Sequence, residues 1–185
     1  MAHTSHAKTK SMIRKEEVYK IGRITKLHGI KGEVVLNFTD DVFDRVECDY
    51  LVLDMDGILV PFFFEEYRFT SSENALFIFE DMDTEQKAKT VVGHDVYFPL
   101  SLAEQAEEGE LSWNYFVGFK VSDVNHGFIG TITDVENSTV NTLFIIEHEG
   151  NEVLMPAQEE FIKDMNQKER TMLVEMPEGM LNLDD

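Results

Sequence analysis

The chain has 185 residues, of which 43% are hydrophobic and 28% are charged. This is the composition of an ordinary globular protein with one domain or two small ones, and it excludes collagen, coiled-coil arrays and wholly disordered chains. Sixteen basic residues stand against 36 acidic ones, which gives a net charge of −20. Most of the surface should therefore repel nucleic-acid phosphates and suit a basic protein partner better.

The charge is divided unevenly along the chain. Residues 1–33 contain eight lysines and arginines but only three glutamates, a net charge of +5, which leaves −25 on residues 34–185. This division is typical of a molecule that meets RNA or an acidic surface with one end and a basic partner with the rest. A basic tail beside a solvated acidic face is the alternative interpretation.

The cysteine content and the apolar runs indicate a cytoplasmic protein. Cys48 is the single cysteine, so no internal disulfide is expected. The longest apolar run, residues 58–64, is far too short for a membrane-spanning helix. We interpret residues 1–17 as a flexible leader, in which residues 1–11 are small and polar and Met12 is a candidate natural start.

Short β-patterned runs separated by turn residues dominate the first half. The predicted strands cover residues 19–25, 33–38, 50–54, 58–64, 66–70, 75–79 and 95–98. A hairpin turn is predicted from Asp54 to Gly57, because glycine supplies the positive φ that such turns need. Residues 84–92 are predicted to form a short helix, with Thr84 as its N-cap and Gly93 just past its end.

The β pattern lapses in residues 100–111, which are rich in serine and glutamate and are predicted to form an acidic linker. Beyond them we predict strands at residues 116–121, 128–135, 142–148, 152–156 and 171–176, and a helical turn at residues 159–165. The predicted fold class is therefore all-β, with two small β-barrels and short plug helices. The N-terminal antiparallel barrel would cover residues 18–99 and the second barrel residues 112–183.

The chain lacks recognisable catalytic motifs. The chain has no nucleophile elbow, no phosphate-binding loop and no zinc-protease helix motif, and its six histidines are scattered. The sequence therefore predicts no catalytic residues, no metal site and no cofactor. An enzyme, such as an rRNA-processing nuclease, is the disfavoured alternative.

Residues 22–34, between two predicted strands, form the most unusual segment. It concentrates four cations, with histidine counted as protonated, and two glycines suited to a tight turn: Arg23, Lys26, His28, Gly29, Lys31 and Gly32. The cations are suited to contacts with phosphate or carboxylate groups, and the glycines allow close approach of a partner. A barrel turn with solvated lysines is the alternative interpretation.

Several separated motifs together resemble the RimM family of ribosome maturation factors. Residues 22–34 are similar to the family's opening motif, with His-Gly-Ile-Lys-Gly-Glu-Val at residues 28–34. Residues 117–121 and 127–132 resemble the start of its PRC-barrel domain. Residues 152–156, 161–162 and 176–181 resemble its closing motifs, so the resemblance runs in order over residues 18–181.

The resemblance implies a six-stranded N-terminal barrel like the second domain of translation elongation factors, joined to a C-terminal PRC barrel. It also implies a non-catalytic factor that associates with the immature 30S subunit and assists 16S rRNA processing. The implied partner is the nineteenth small-subunit ribosomal protein, in the subunit head. We expect a cytoplasmic monomer with no membrane partner. A stand-alone RNA-binding module that acts through the basic loop is the alternative.

One departure from the family pattern affects the implied binding site. The family commonly has two aromatic residues before a tryptophan at the start of the PRC barrel, whereas this chain has Leu111 and Ser112 before Trp113. Trp113 and Tyr115 are therefore the candidate anchors for the ribosomal protein, with Phe116 nearby. The alternative is that these aromatic residues belong to the core of the second barrel.

Overall fold

The computed structural model describes residues 12–106, 112–137 and 140–179. Residues 1–11 of the predicted leader, residues 107–111 of the predicted acidic linker and the final residues 180–185 lie outside the described ranges.

The first half forms a closed antiparallel barrel, which confirms the predicted architecture. Its strands are β1 (Val18–His28), β2 (Glu33–Phe38), β3 (Tyr50–Met55), β4 (Ile58–Phe69), β5 (Asn74–Phe79) and β6 (Asp95–Pro99). They close in the order β1-β2-β5-β4-β3-β6. The two strands predicted at residues 58–64 and 66–70 are one strand, because a register shift between Phe64 and Glu66 accommodates the irregular residue without ending the pairing.

Three short helices accompany the barrel, namely α1 (Val42–Arg45), α2 (Glu85–Ala88) and α3 (Leu100–Ala103). The Thr84 hydroxyl accepts a hydrogen bond of 3.2 Å from the backbone N–H of Lys87, which confirms the predicted N-cap. A 3-10 turn, Lys89–Val91, follows α2, and Gly93 then adopts a positive φ of 87°. Ala88 and Val91 are fully buried in the core.

Residues 12–17 lie against the outside of the barrel, whereas the sequence predicted that they belong to a flexible leader. Ile13 packs on a small external cluster formed by Val18, Val52 and Tyr97. The ammonium group of Lys15, in the 3-10 turn Lys15–Glu17, lies 3.6 Å from the centre of the Tyr97 ring. These apolar and cation–π contacts hold the segment in place.

The second half forms a six-stranded sheet in the order β10-β9-β8-β7-β12-β11. Its strands are β7 (Lys120–Asp123), β8 (Gly127–Glu136), β9 (Leu143–His148), β10 (Asn151–Pro156), β11 (Ile162–Asn166) and β12 (Thr171–Val174). The helical turn predicted for residues 159–165 is wrong beyond Phe161, because β11 begins at Ile162 and pairs with β12. The strand predicted from residue 116 starts only at Lys120, because Trp113–Phe116 forms a 3-10 turn.

One buried cluster extends through both halves of the molecule. Phe77 and Phe98 belong to its first part, and Phe119 and Phe144 belong to its second part. The rings of Tyr19 and Tyr115 meet edge to face with their centres 5.6 Å apart, so the barrel and the second sheet share apolar contacts.

Candidate functional site

The predicted basic loop is the hairpin between β1 and β2. It carries six predicted site residues: Arg23, Lys26 and His28 on β1, Gly29 and Lys31 in the turn, and Gly32 directly before β2. All of them except Gly32 are exposed. Ile30 at the tip is 79% exposed, so the hairpin offers an apolar contact beside its cations.

The two glycines of the turn have different roles. Gly29 has a φ of +65°, and a Cβ added there would meet no atom within 4 Å, so only its backbone conformation favours glycine. Gly32 has a φ of +88°, and a Cβ there would lie 1.7 Å from the carbonyl oxygen of Met82. The absence of a Cβ at Gly32 therefore allows the hairpin to pack closely against the segment before α2.

Glu33 at the base of the hairpin is surrounded by positive groups. Arg68 Nη1 donates a hydrogen bond of 2.6 Å to Glu33, and His28 Nε2 lies 4.0 Å from the same carboxylate. The hydrogen bond from Arg68 is the main cause that lowers the pKa of Glu33. Part of the predicted positive charge is thus neutralised within the molecule, and Arg68 on β4 joins the hairpin's cations.

Lys26 and Lys31 are the cations of the hairpin that are available to a partner. Arg23 donates to Asp95 at 3.1 Å. By contrast, neither Lys26 nor Lys31 makes an ion pair or a hydrogen bond with any residue that the structure describes, although the charge of Lys31 contributes to the lowered pKa of Glu33.

The two predicted aromatic anchors differ in accessibility. Tyr115 is only 1% exposed, and its ring lies among Tyr19, Phe116 and Phe119, so it cannot present its face to a partner in this conformation. Trp113 is half-buried, and its ring packs edge to face on Phe144 with a centre-to-centre distance of 5.6 Å.

Trp113 lines a groove between the barrel and the second sheet, which we call the inter-domain groove. The groove has a volume of about 1220 Å³. The barrel contributes Asn37 to Asp41, Arg45, Ser72 and Glu73, and the second domain contributes Ser112 to Asn114, Phe116, Asn137, Glu159, Ile162, Met165 and Gln167. Trp113, Phe116, Ile162 and Met165 give it an apolar wall, while Asp41, Glu73 and Glu159 place carboxylates along it.

A buried carboxylate, Asp40, connects the two domains at this groove. It accepts hydrogen bonds from the Tyr19 hydroxyl at 2.8 Å and the Val42 backbone N–H at 3.0 Å, and also from Arg45 and the Ser112 hydroxyl. Burial, and then the charge of Asp40, raises the pKa of Tyr19 far above its usual range, so the phenol remains a donor. Because Ser112 belongs to the second domain, this network fixes one wall of the groove against the other.

Arg170 makes a second connection between the domains. Its Nη1 donates to the backbone carbonyl of Glu16 at 3.2 Å, and its Nη2 donates to the carbonyl of Val117 at 2.6 Å. The guanidinium also lies over the Phe119 ring, 5.4 Å from the ring centre. Burial lowers the pKa of Arg170.

The sequence did not indicate Asp40, Ser112 or Arg170 as important residues. Asp41 and Arg45 form an ion pair of 2.9 Å. They are four residues apart in the chain, and side chains at this spacing are neighbours on a helix, so a sequence pattern can suggest this pair. Asp40 contacts Ser112 across 72 positions of the chain, and no local pattern predicts such a contact.

The described residues contain neither a cluster of metal-ligating side chains nor a helix that could span a membrane. In residues 12–106, 112–137 and 140–179, no group of three or more His, Cys, Asp or Glu side chains is arranged to hold a metal ion. In the same ranges, no helix has the length and apolar character needed to cross a membrane.

Comparisons with known proteins identify relatives over nearly the whole chain. The family model for the RimM N-terminal domain matches residues 19–102, and that for the RimM PRC barrel domain matches residues 113–180. A ribosome maturation factor RimM from Bacteroides thetaiotaomicron is 57% identical and covers 94% of this chain and 98% of its own length. The protein of the same name from Bacteroides fragilis is 53% identical and covers 94% of this chain and 97% of its own length.

Two solved structures are also similar to this chain. One is a 16S ribosomal RNA processing protein RimM from Pseudomonas aeruginosa, with 21% identity, a TM-score of 0.41 and coverage of 86% of this chain and 98% of that chain. The other is the N-terminal domain of RimM from Thermus thermophilus, with 16% identity and a TM-score of 0.38. The match covers 46% of this chain and 92% of that chain. The family models and the sequence relatives are sufficient by themselves to show that this chain belongs to the RimM family of ribosome maturation factors.

Proposed function

We propose that this chain assists maturation of the small ribosomal subunit by binding a basic ribosomal protein of the subunit head, without catalysing a reaction. The single observation that supports this proposal best is the inter-domain groove, which the half-buried Trp113 lines together with Asp41, Glu73 and Glu159. A lysine or arginine side chain of the partner would stack on the indole and pair with these carboxylates. By family resemblance, the partner is the nineteenth small-subunit ribosomal protein.

The charge distribution supports a basic partner. Residues 34–185 carry a net charge of −25, and residues 1–33 carry +5. Such a field attracts a positively charged protein and increases its association rate at low salt. Proteins that bind rRNA are themselves basic, because they must neutralise phosphates. The acidic part of the chain therefore suits a ribosomal protein better than it suits naked RNA.

The experiment is a calorimetric titration of the full chain with the purified nineteenth small-subunit protein. Replacement of the indole in Trp113→Ala should weaken binding at least about tenfold, as expected for an aromatic hot spot. Phe128→Ala is the matched control, because Phe128 is 52% exposed and lies on β8 outside the groove. The charge reversals Glu73→Lys and Glu159→Lys test the same groove without altering the indole. Unchanged affinity in all the groove variants would contradict the proposal.

Direct binding to 16S rRNA through the basic hairpin is a second candidate function. It is supported by the exposed Lys26 and Lys31, which have no ion-pair partner among the described residues, and by the exposed Ile30 between them. The double variant Lys26→Ala/Lys31→Ala should weaken binding to a 16S rRNA fragment and lower the slope of log K against log salt by about 1.5. Lys168→Ala is a control, because Lys168 is an exposed lysine of the second domain that makes no ion pair with a described residue. An unchanged salt slope would exclude this function for the hairpin.

We further propose that residues 18–99 and 112–183 are the two binding domains of a cytoplasmic monomer that requires no cofactor. The net charge of −20 opposes close approach of two copies. Light scattering during gel filtration tests the monomer directly. A stable dimer at micromolar concentration would contradict it.

A further inference from the structure

The outer face of β3 and β4 carries a stripe of apolar side chains. Tyr50 is directly opposite Phe63, and Val52 is opposite Pro61. Alternate residues of a strand share a face, so these two pairs and Leu59 lie together on the outside of the barrel. We call this stripe the β3–β4 face. It belongs to the first domain and is separate from the inter-domain groove, of which none of these residues is a lining residue.

The chain's own N-terminal segment covers one end of the β3–β4 face. Ile13, like Leu59, packs on the cluster formed by Val18, Val52 and Tyr97. Lys15 places its ammonium group 3.6 Å from the centre of the Tyr97 ring. Arg14, between them, has an extended backbone with a φ of −96° and a ψ of 153°. This side of the barrel therefore accepts a segment whose contacts, from Ile13 and Lys15 at alternate positions, are one apolar and one basic.

The other end of the face is open. The rings of Tyr50 and Phe63 lie 5.5 Å apart at a tilt of 46°, and Phe63 is 42% exposed. An aromatic pair of this kind offers both apolar area and a negative π-face. The apolar surface thus continues beyond the part that the N-terminal segment covers.

Three acidic residues neighbour the open aromatic pair along the chain or in the backbone pairing. The backbone carbonyl of Asp49 accepts a hydrogen bond of 3.0 Å from the backbone N–H of Phe64. The backbone N–H of Glu80 donates a hydrogen bond of 2.9 Å to the carbonyl of Phe63. Glu65 lies at the register shift of β4. All three carboxylate residues are exposed, and none makes an ion pair with the residues that the structure describes. The charge of Asp49 adds to burial in raising the pKa of Tyr50. Nothing within the described chain neutralises these acidic residues.

We propose that the Tyr50–Phe63 end of the β3–β4 face is a second docking site, which binds an extended segment of a partner protein in which lysine or arginine alternates with apolar residues. The basic side chains would lie over the two rings and pair with the neighbouring carboxylates, as Lys15 lies over Tyr97 on the covered end. The same carboxylates repel the phosphates of RNA. They also repel a second copy of this acidic chain.

The test uses the full chain and a short fluorescein-labelled peptide in which lysine alternates with valine. Fluorescence anisotropy should detect binding of this peptide, but not of the matched peptide with glutamate in place of lysine. Phe63→Gln should weaken the peptide affinity about tenfold, because it removes ring contact and cation–π attraction worth roughly 1.4 kcal/mol. Phe128→Gln is the control for an exposed aromatic residue elsewhere. Trp113→Ala should leave this affinity unchanged, which separates the site from the groove.

A second variant keeps the test independent of any folding defect in Phe63→Gln. The charge reversals Asp49→Lys and Glu65→Lys leave both rings in place and should also weaken the peptide affinity, with the largest effect at low salt. Absence of peptide binding, or peptide affinity that is insensitive to both sets of variants, overturns the proposal. So does binding of an oligouridine probe, or formation of a dimer, that is abolished by Phe63→Gln.

Discussion

The hydroxyl of Ser112 donates a hydrogen bond to the buried carboxylate of Asp40, and thereby joins the start of the second domain to the first barrel. The Asp40 side chain has no exposed surface, and it also accepts hydrogen bonds from Arg45 and from the phenol of Tyr19. Because both walls of the inter-domain groove meet at this carboxylate, the width of the groove depends on it.

Removal of the buried carboxylate should strongly destabilise the protein. Asp40→Ala leaves the donors of Tyr19, Arg45 and Ser112 without their acceptor, and we expect a loss of about 3 kcal/mol in the free energy of unfolding. Asp41→Ala is the matched control, because Asp41 also pairs with Arg45 but its side chain is 49% exposed. It should cost less than about 1 kcal/mol. Urea denaturation of both variants measures the difference, and equal losses would refute the role assigned to Asp40.

Loss of the Ser112 hydroxyl should loosen the domains with a smaller effect on stability. Ser112→Ala removes one donor to Asp40 and should cost about 1 kcal/mol. Measurement of ¹⁵N relaxation should then give different rotational correlation times for the two domains, whereas the unmodified protein should give similar values. Ser101→Ala, at an exposed position in α3, is the control and should leave the relaxation unchanged. Identical relaxation in Ser112→Ala and the unmodified protein would show that other contacts, such as those of Arg170, suffice.

The two glycines of the basic hairpin should respond differently to alanine. Gly29→Ala introduces only an unfavourable backbone conformation, at a cost of about 1 kcal/mol. Gly32→Ala adds a collision with the carbonyl of Met82, which is backbone and cannot rotate away. We therefore expect Gly32→Ala to lower the melting temperature by at least twice as much, as measured by circular dichroism. Similar shifts for both variants would mean that the Met82 segment moves freely.

Asp123 should make folding dependent on pH in the acidic range. Burial tends to raise its pKa, but hydrogen bonds from the Met176 N–H, the His126 side chain and the Asn125 N–H lower it below the usual value, and these hydrogen bonds prevail. A depressed folded-state pKa stabilises the protein above the unfolded-state pKa of about 3.9, and this stabilisation is lost as the pH falls through the folded-state pKa. The difference in unfolding free energy between the unmodified protein and Asp123→Asn should therefore be largest near pH 6 and should shrink below about pH 4. Urea denaturation at several pH values measures it, and a difference that grows on acidification would contradict the assignment.

The sequence predicts those parts of the fold that depend on local signals. The Asp54–Gly57 turn is confirmed, because Met55 pairs with Ile58 and both Asp56 and Gly57 have positive φ. The N-cap at Thr84 is also confirmed, since a capping hydroxyl acts within one helical turn. Both features are decided by a few neighbouring residues, so the sequence alone is sufficient to predict them.

Elements that depend on distant pairing are predicted less well. Residues 162–165 were expected to be helical, and only the pairing of β11 with β12 makes them part of a strand. For the same reason, the candidate site was predicted only in part. The basic hairpin follows from its composition, but the buried position of Tyr115 and the contact of Asp40 with Ser112 arise from packing between the domains.

Closure of the first sheet restricts the way in which the first domain can recognise other molecules. In a closed barrel no strand lies at an edge, so a partner cannot extend the sheet by β-augmentation and must be recognised by side chains. The second sheet instead begins with β10 and ends with β11 in its hydrogen-bonding order. Of the two sheets, the second is therefore the one that a partner strand can extend through main-chain hydrogen bonds, which depend only weakly on the partner's sequence. Selectivity at the first domain depends instead on the side chains of its outer surface.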